Sequence, residues 1–138
     1  MVHLAGSEAA PNLIVLRSLG KFFGLAGARV GFMFGAAERL ATIREMLGPW
    51  PLAHPSRAVA RQALLDVSWQ QVARQRLLAA SQRLADLLSP LGDVSRTALF
   101  CTVRHERPAD LVNLADHLAR HAILVRRFDE HGLLRFGL

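Results

Sequence analysis

The sequence predicts an α/β fold, and three observations carry that prediction. Short continuous apolar runs, "LIVL", "VGFMF" and "ALFCTV", have the length and composition of buried strands. Between them lie longer stretches whose apolar residues recur at helical spacing. Clusters of glycine and proline separate the two kinds of segment. With 138 residues, 51% of them hydrophobic, the chain holds enough apolar material for a core of ordinary domain size.

The elements follow in order. Residues 1–12, "MVHLAGSEAAPN", are small and polar and read as a lead-in. Leu13 to Leu16 and Val30 to Phe34 are strands of the kind buried on both faces, joined by a glycine-punctuated loop. "AERLATIREML" places Leu40, Ile43 and Leu47 on one helical face, and Gly48-Pro49 stops it. "PWPLAHPS" is the candidate hinge, with domains expected over residues 1–55 and 56–138. Val59, Ala63, Leu64 and Val67 mark the next helix, and Ser68 with Gln71 suggests a capping box opening another. That longer helix sets Trp69, Val72, Leu77, Ala80, Leu84, Leu87 and Leu88 along one flank until Pro90 and Gly92. "TALFCTV" (strand), "PADLVNLADHLARHA" (helix with Pro108 in its first turn), "ILVRRF" (strand) and "LLRFGL" (strand) complete the chain.

Composition narrows the function classes. The net charge of +6 invites a nucleic-acid reading, but the arginines are scattered over helix faces such as "RQALLDVSWQQVARQRLLAASQRL". No basic stripe is interleaved with aromatics, so no nucleic-acid partner is expected. No apolar run approaches the ~20 residues of a membrane span, and no secretory leader is visible. The single cysteine, Cys101, reads as a small buried residue, which fits a cytoplasmic location. His117 and His121 share a helical face, without the third ligand or the H-E-x-x-H pattern of a metal site, so no metal is expected. Trp50 and Trp69 flank the hinge and read as packing residues.

Lys21 is the single lysine among 17 basic residues, the others all being arginine. A lysine can lose its proton and attack a carbonyl to form an imine, whereas an arginine stays protonated. Ser18 lies three residues before it, and Gly24, Gly27 and Gly31 permit tight turns and close approach of a ligand. Arg29, eight residues after it, offers a planar fork suited to phosphate. Amine, hydroxyl, glycines and guanidinium together suit an aldehyde that carries a phosphate, which is the description of pyridoxal phosphate. The glycine spacing fits neither G-x-G-x-x-G nor a Walker A loop.

"SLGKFFGLAGARVG" resembles the lysine signature of the class I/II aminotransferases, the fold-type I pyridoxal-phosphate enzymes, with every constrained position filled. The resemblance implies that Lys21 forms the imine with the cofactor, while Ser18 and Arg29 bind the cofactor phosphate. "HAILVRRF" and "LLRFGL" resemble the family's closing strands, which implies that Arg135 binds a substrate carboxylate and that Arg126 is a second anion contact. Strand alternation supports Arg135, since Leu134, Phe136 and Leu138 share the opposite face; alternation alone leaves Arg126 and Arg127 open. Within the family, "NLIVLRSLGKFFGLAGARVGF", "LGPW", "ALLDVSWQ" and "ILVRRFDEHGLLRFGL" resemble the cobalamin-biosynthetic threonine-phosphate decarboxylases, relatives of histidinol-phosphate aminotransferase. That implies a small amino-acid phosphate as substrate and a homodimer for the full-length family.

The resemblance covers residues 12–138 and the carboxy-terminal portion of the family pattern. The implied architecture is the rear of a large-domain sheet followed by a small α/β domain. Such a chain is expected to lack the family's ring-stacking aromatic and the Asp that pairs with the pyridine nitrogen, as from a truncated gene, a mis-called start or a split enzyme. Alone it is expected to bind cofactor weakly and turn nothing over, or to be a non-catalytic remnant. Val15, Leu16, Phe32 and Phe34 are expected to be under-covered, with the stable unit running from about residue 56.

Overall fold

Two separate apolar clusters organise the chain, one around the glycine loop and one beneath the carboxy-terminal strands. The computed structural model describes residues 2–105 and 107–138. The chain divides into two units, Met1–Asp66 and Val67–Leu138.

In the first unit, β1 (Val15–Ser18) pairs antiparallel with β2 (Gly31–Phe34), from Val15 opposite Phe34 to Ser18 opposite Gly31. The continuous apolar run pointed to a strand covered on both faces, and the structure corrects this. The ribbon has two strands, and Leu16 is 69% exposed, with Phe32, Met33 and Phe34 also exposed. Val15 is half-buried, so the expected thin cover holds for Leu16, Phe32 and Phe34. Two four-residue strands with no third strand among the described residues cannot bury both faces. Helix α1 (Ala37–Leu47) follows, as its spacing predicts, and Gly48 closes it by donating its N–H to the Arg44 and Glu45 carbonyls. Helix α2 (His54–Leu65) carries Ala60, which packs with Leu19 and Val30 in this unit's core. That anchor ties α2 to the first unit, and the sequence-based boundary after residue 55 lies within the first turn of α2. Trp50 is 78% exposed, so it is not core.

The second unit opens with helix α3 (Val67–Leu88), whose first residue is Val67. Val67 therefore does not extend α2, and Ser68 sits inside α3 and not at a cap. Trp69, Val72 and Leu87 are exposed, and only the carboxy-terminal part of the helix, through Ser81, Leu84, Ala85 and Leu88, reaches the core. Strand β3 (Asp93–Arg96) is an element the sequence did not announce. It pairs with β4 (Phe100–Arg104), and the Thr97 amide closes the turn on the Phe100 carbonyl at 2.8 Å. Gly92, at φ 146°, makes the entry to β3; a Cβ there would stand 2.3 Å from the Arg104 carbonyl oxygen.

Helix α4 (Pro108–Arg120) leads to β5 (Arg126–Phe128), and β6 (Leu133–Gly137) ends the sheet in the order β3-β4-β6-β5. Every neighbouring pair is antiparallel. Strands β4 and β5 therefore run parallel, with α4 as the crossover and β6 inserted between them. Leu111, Leu114, Ala115 and Leu118 form the apolar stripe of α4. With Leu88 they cover one face of the sheet, which contributes Cys101, Val103, Leu134 and Phe136. Cys101 and Val103 are wholly inaccessible, and Ser81, also inaccessible, donates its hydroxyl to the Thr97 carbonyl. The opposite face of the sheet carries the alternate residues.

Candidate functional site

The twelve-residue segment from Leu19 to Val30 is closed at its base by the Ser18–Gly31 pair. Its interior is held by apolar side chains: Leu19 and Val30 are buried, and Phe23, Leu25 and Ala28 pack against them. The Leu19 amide donates to the Val30 carbonyl at 3.2 Å, and the Leu25 amide donates to the Leu19 carbonyl at 3.0 Å. The Gly24 amide donates to the Lys21 carbonyl at 3.0 Å, a turn made possible by φ 67° at Gly24. Anchoring the loop by these apolar residues leaves its polar side chains outside. Ser18, Lys21 and Arg29 are all exposed.

Each of those three keeps hydrogen-bonding capacity to spare. Ser18 Oγ accepts the Gly20 amide at 3.0 Å, and its own O–H meets no acceptor among the described residues. The Lys21 amine has no hydrogen-bond or ion-pair partner among the described residues. The Arg29 guanidinium donates once, to the Ala26 carbonyl at a long 3.4 Å. The Arg29 backbone is left-handed, φ 51° and ψ 41°, at the end of the short 3-10 turn Ala26–Ala28. An unspent amine, a hydroxyl proton and guanidinium donors on one loop fit an aldehyde bearing a phosphate.

The second arrangement lies on the open face of the carboxy-terminal sheet. Register places Arg126 directly opposite Arg135, and Arg135 directly opposite Thr102. Strand β6 is interior, between β4 and β5, so Arg135 is not an edge charge. Two like charges opposite one another destabilise a sheet unless something compensates. Here aromatic rings do so: the Arg135 guanidinium carbon stands 4.5 Å from the Phe100 ring centroid and 5.5 Å from that of Phe128, and the Arg126 carbon 5.0 Å from Phe128. No carboxylate within 4.0 Å of either arginine occurs among the described residues.

Arg127 faces the other way and is paired with carboxylates. Its Nε donates to Asp129 Oδ1 and its terminal nitrogen to Asp129 Oδ2, both at 3.0 Å, and Asp116 lies 3.8 Å away. The hydrogen bond to Asp129, reinforced by that carboxylate's charge, raises the Arg127 pKa above its ordinary value. Of the two arginines that alternation left open, Arg126 shares the face of Arg135 and Arg127 lies opposite Leu134. Phe100 and Phe128 had no place in the sequence reading. The available signal was alternation, since Phe128 is two residues from Arg126 on one strand and Phe100 two from Thr102 on another. His117 and His121 lie with ring centroids 4.6 Å apart, and the His121 Nδ1 is bonded to the His117 carbonyl at 2.9 Å.

Comparison with known proteins gives this geometry a context. The family model described as aminotransferase class I and II matches residues 2–138. A threonine-phosphate decarboxylase of Pseudomonas aeruginosa is 49% identical over 137 residues, covering 98% of this chain and 40% of the relative. A histidinol-phosphate aminotransferase of Burkholderia mallei is 33% identical over 136 residues, covering 92% of this chain and 38% of the relative. Among solved structures, the histidinol-phosphate aminotransferase of Sinorhizobium meliloti in complex with pyridoxal-5'-phosphate matches with a TM-score of 0.74 at 24% identity, over 92% of this chain and 36% of that one. The chain thus spans about 40% of the length of the curated relatives it matches.

Proposed function

Since this chain belongs to the class I and II aminotransferase family, we propose that it is part of a pyridoxal-phosphate enzyme that removes CO2 from L-threonine O-3-phosphate. The observation that carries the choice of reaction is the 49% identity to a threonine-phosphate decarboxylase, against 33% for the histidinol-phosphate aminotransferase. In this reading the first unit, Met1–Asp66, belongs to the cofactor-binding domain and the second, Val67–Leu138, is the small domain. The cofactor supplies a conjugated ring that takes up the electron pair left when a bond to the substrate Cα breaks.

The chain's own residues have distinct tasks. Lys21 binds the cofactor aldehyde through its amine, which is unspent in the loop, and carries the proton returned to Cα after CO2 departs. Ser18 and Arg29 hold the cofactor phosphate with the hydroxyl and guanidinium donors left over from the loop. Arg135 binds the substrate carboxylate and Arg126 the second anionic group, the phosphate, each by charge-assisted hydrogen bonds. The bound enzyme sits in the cytoplasm as a homodimer.

A chimera tests the reading: this chain replaces the matching segment of the Pseudomonas aeruginosa relative. CO2 release from threonine phosphate is the expected result, and Lys21→Ala should abolish it together with the cofactor band at about 400 nm. Borohydride trapping and peptide mapping should place the label on Lys21. Amino transfer from histidinol phosphate without CO2 release from threonine phosphate would support the second reading, an aminotransferase, which the Burkholderia relative favours. A stable adduct on another amine, with Lys21 unlabelled, would sink both.

A further inference from the structure

We propose that Phe100 and Phe128 are positioning residues that hold the two open-face guanidinium groups by their flat faces and leave the N–H edges free for a substrate bearing two anionic groups. The inference rests on the proposed role of Arg126 and Arg135 as substrate contacts and adds residues that nothing above assigns.

The argument starts from what a guanidinium can spend. It has five N–H donors around its edge and two faces without donors. A carboxylate neighbour immobilises it through the edge, as Asp129 does to Arg127 with two bonds of 3.0 Å, and so consumes donors and charge together. An aromatic neighbour immobilises it through the face and consumes neither. Arg135 lies near Phe100 (4.5 Å) and Phe128 (5.5 Å), and Phe128 also meets Arg126 (5.0 Å). One ring therefore serves both cations. Gly137 lies opposite Phe100 in register, so no side chain stands beside that ring from β6 at this position; a Cβ there would meet it at an ordinary contact distance of 3.9 Å. Three adjacent features agree: like charges paired across strands, aromatic contacts on each, and no neighbouring carboxylate among the described residues. A surface that needed only solubility would gain nothing from this arrangement.

The test titrates the full 138-residue chain with O-phospho-L-threonine and follows the arginine Nε–Hε resonances by NMR. Ring currents should displace the Arg126 and Arg135 resonances before ligand is added, and ligand should shift both. Phe128→Leu and Phe100→Leu keep an apolar side chain but remove the π face; the first should lose the Arg126 displacement and reduce that of Arg135, the second should reduce that of Arg135 alone, and each should weaken binding by about three- to tenfold. Phe128→Tyr should restore both. Tight binding by both Leu variants, with Arg135→Ala abolishing it, would overturn the positioning role and leave the substrate-contact reading standing. Binding unchanged in Arg126→Ala and Arg135→Ala, or none by the wild-type chain, would instead overturn that reading, and this inference with it.

Discussion

The glycine-loop unit and the sheet unit handle the same raw material differently. In the first, the buried core consists of Leu19, Val30 and Ala60, and the apolar strand residues Leu16, Phe32, Met33 and Phe34 stand open to solvent. In the second, seven residues from two helices and two strands close one face completely, and Leu134 is 1% exposed. The first unit uses its few buried side chains to pin a loop whose amine and hydroxyl face outward. The second uses a full core to hold a four-stranded sheet, and sets two arginines on the face left over. Apolar content alone does not make a core. It must come with enough neighbouring elements to cover it.

Truncations separate the two regimes. The largest expected effect is Leu134→Ala: removing a fully packed side chain between α3, α4 and the sheet should cost about 3–4 kcal/mol, read as a fall in the urea midpoint of the second unit. A loss under about 1 kcal/mol would mean that this core is not what holds the sheet. Ser81→Ala is intermediate. It leaves the Thr97 carbonyl without its donor from the inaccessible Ser81 hydroxyl, and about 1 kcal/mol should be lost. A neutral outcome would show that water reaches that carbonyl. Leu16→Ala, on the open ribbon, should change stability by no more than about 0.5 kcal/mol. A cost comparable to that of Leu134→Ala would show that the ribbon is covered in solution, and the contrast between the units would collapse.

Much of this was legible in the sequence. Helix α1 runs over the very residues its apolar spacing marks, and Cys101, Leu134 and Phe136 are buried as their runs and alternation require. Lys21 stands out by composition alone. Strand β3 was not legible, because "DVSR" has one apolar residue and forms only by pairing with β4. Nor was the exposure of Ile14 and Leu16 in "LIVL": an apolar run reports a tendency to be covered, and whether a cover exists depends on other segments. The distinction between Arg126 and Arg127 needed the register of β5 on β6 and the position of Asp129, neither of which alternation supplies. Phe100 and Phe128 passed as ordinary strand residues because the cations they meet come partly from other strands.

The left-handed backbone at Arg29 has a consequence for how this sequence can change over time. A side chain other than glycine or asparagine in that corner costs about 1 kcal/mol, so drift at position 29 runs downhill towards those two. On the proposed phosphate role, it is selection for the guanidinium that keeps arginine there. Position 29 is then a gauge of constraint: a lineage freed of that contact would shed this arginine early and become more stable by doing so.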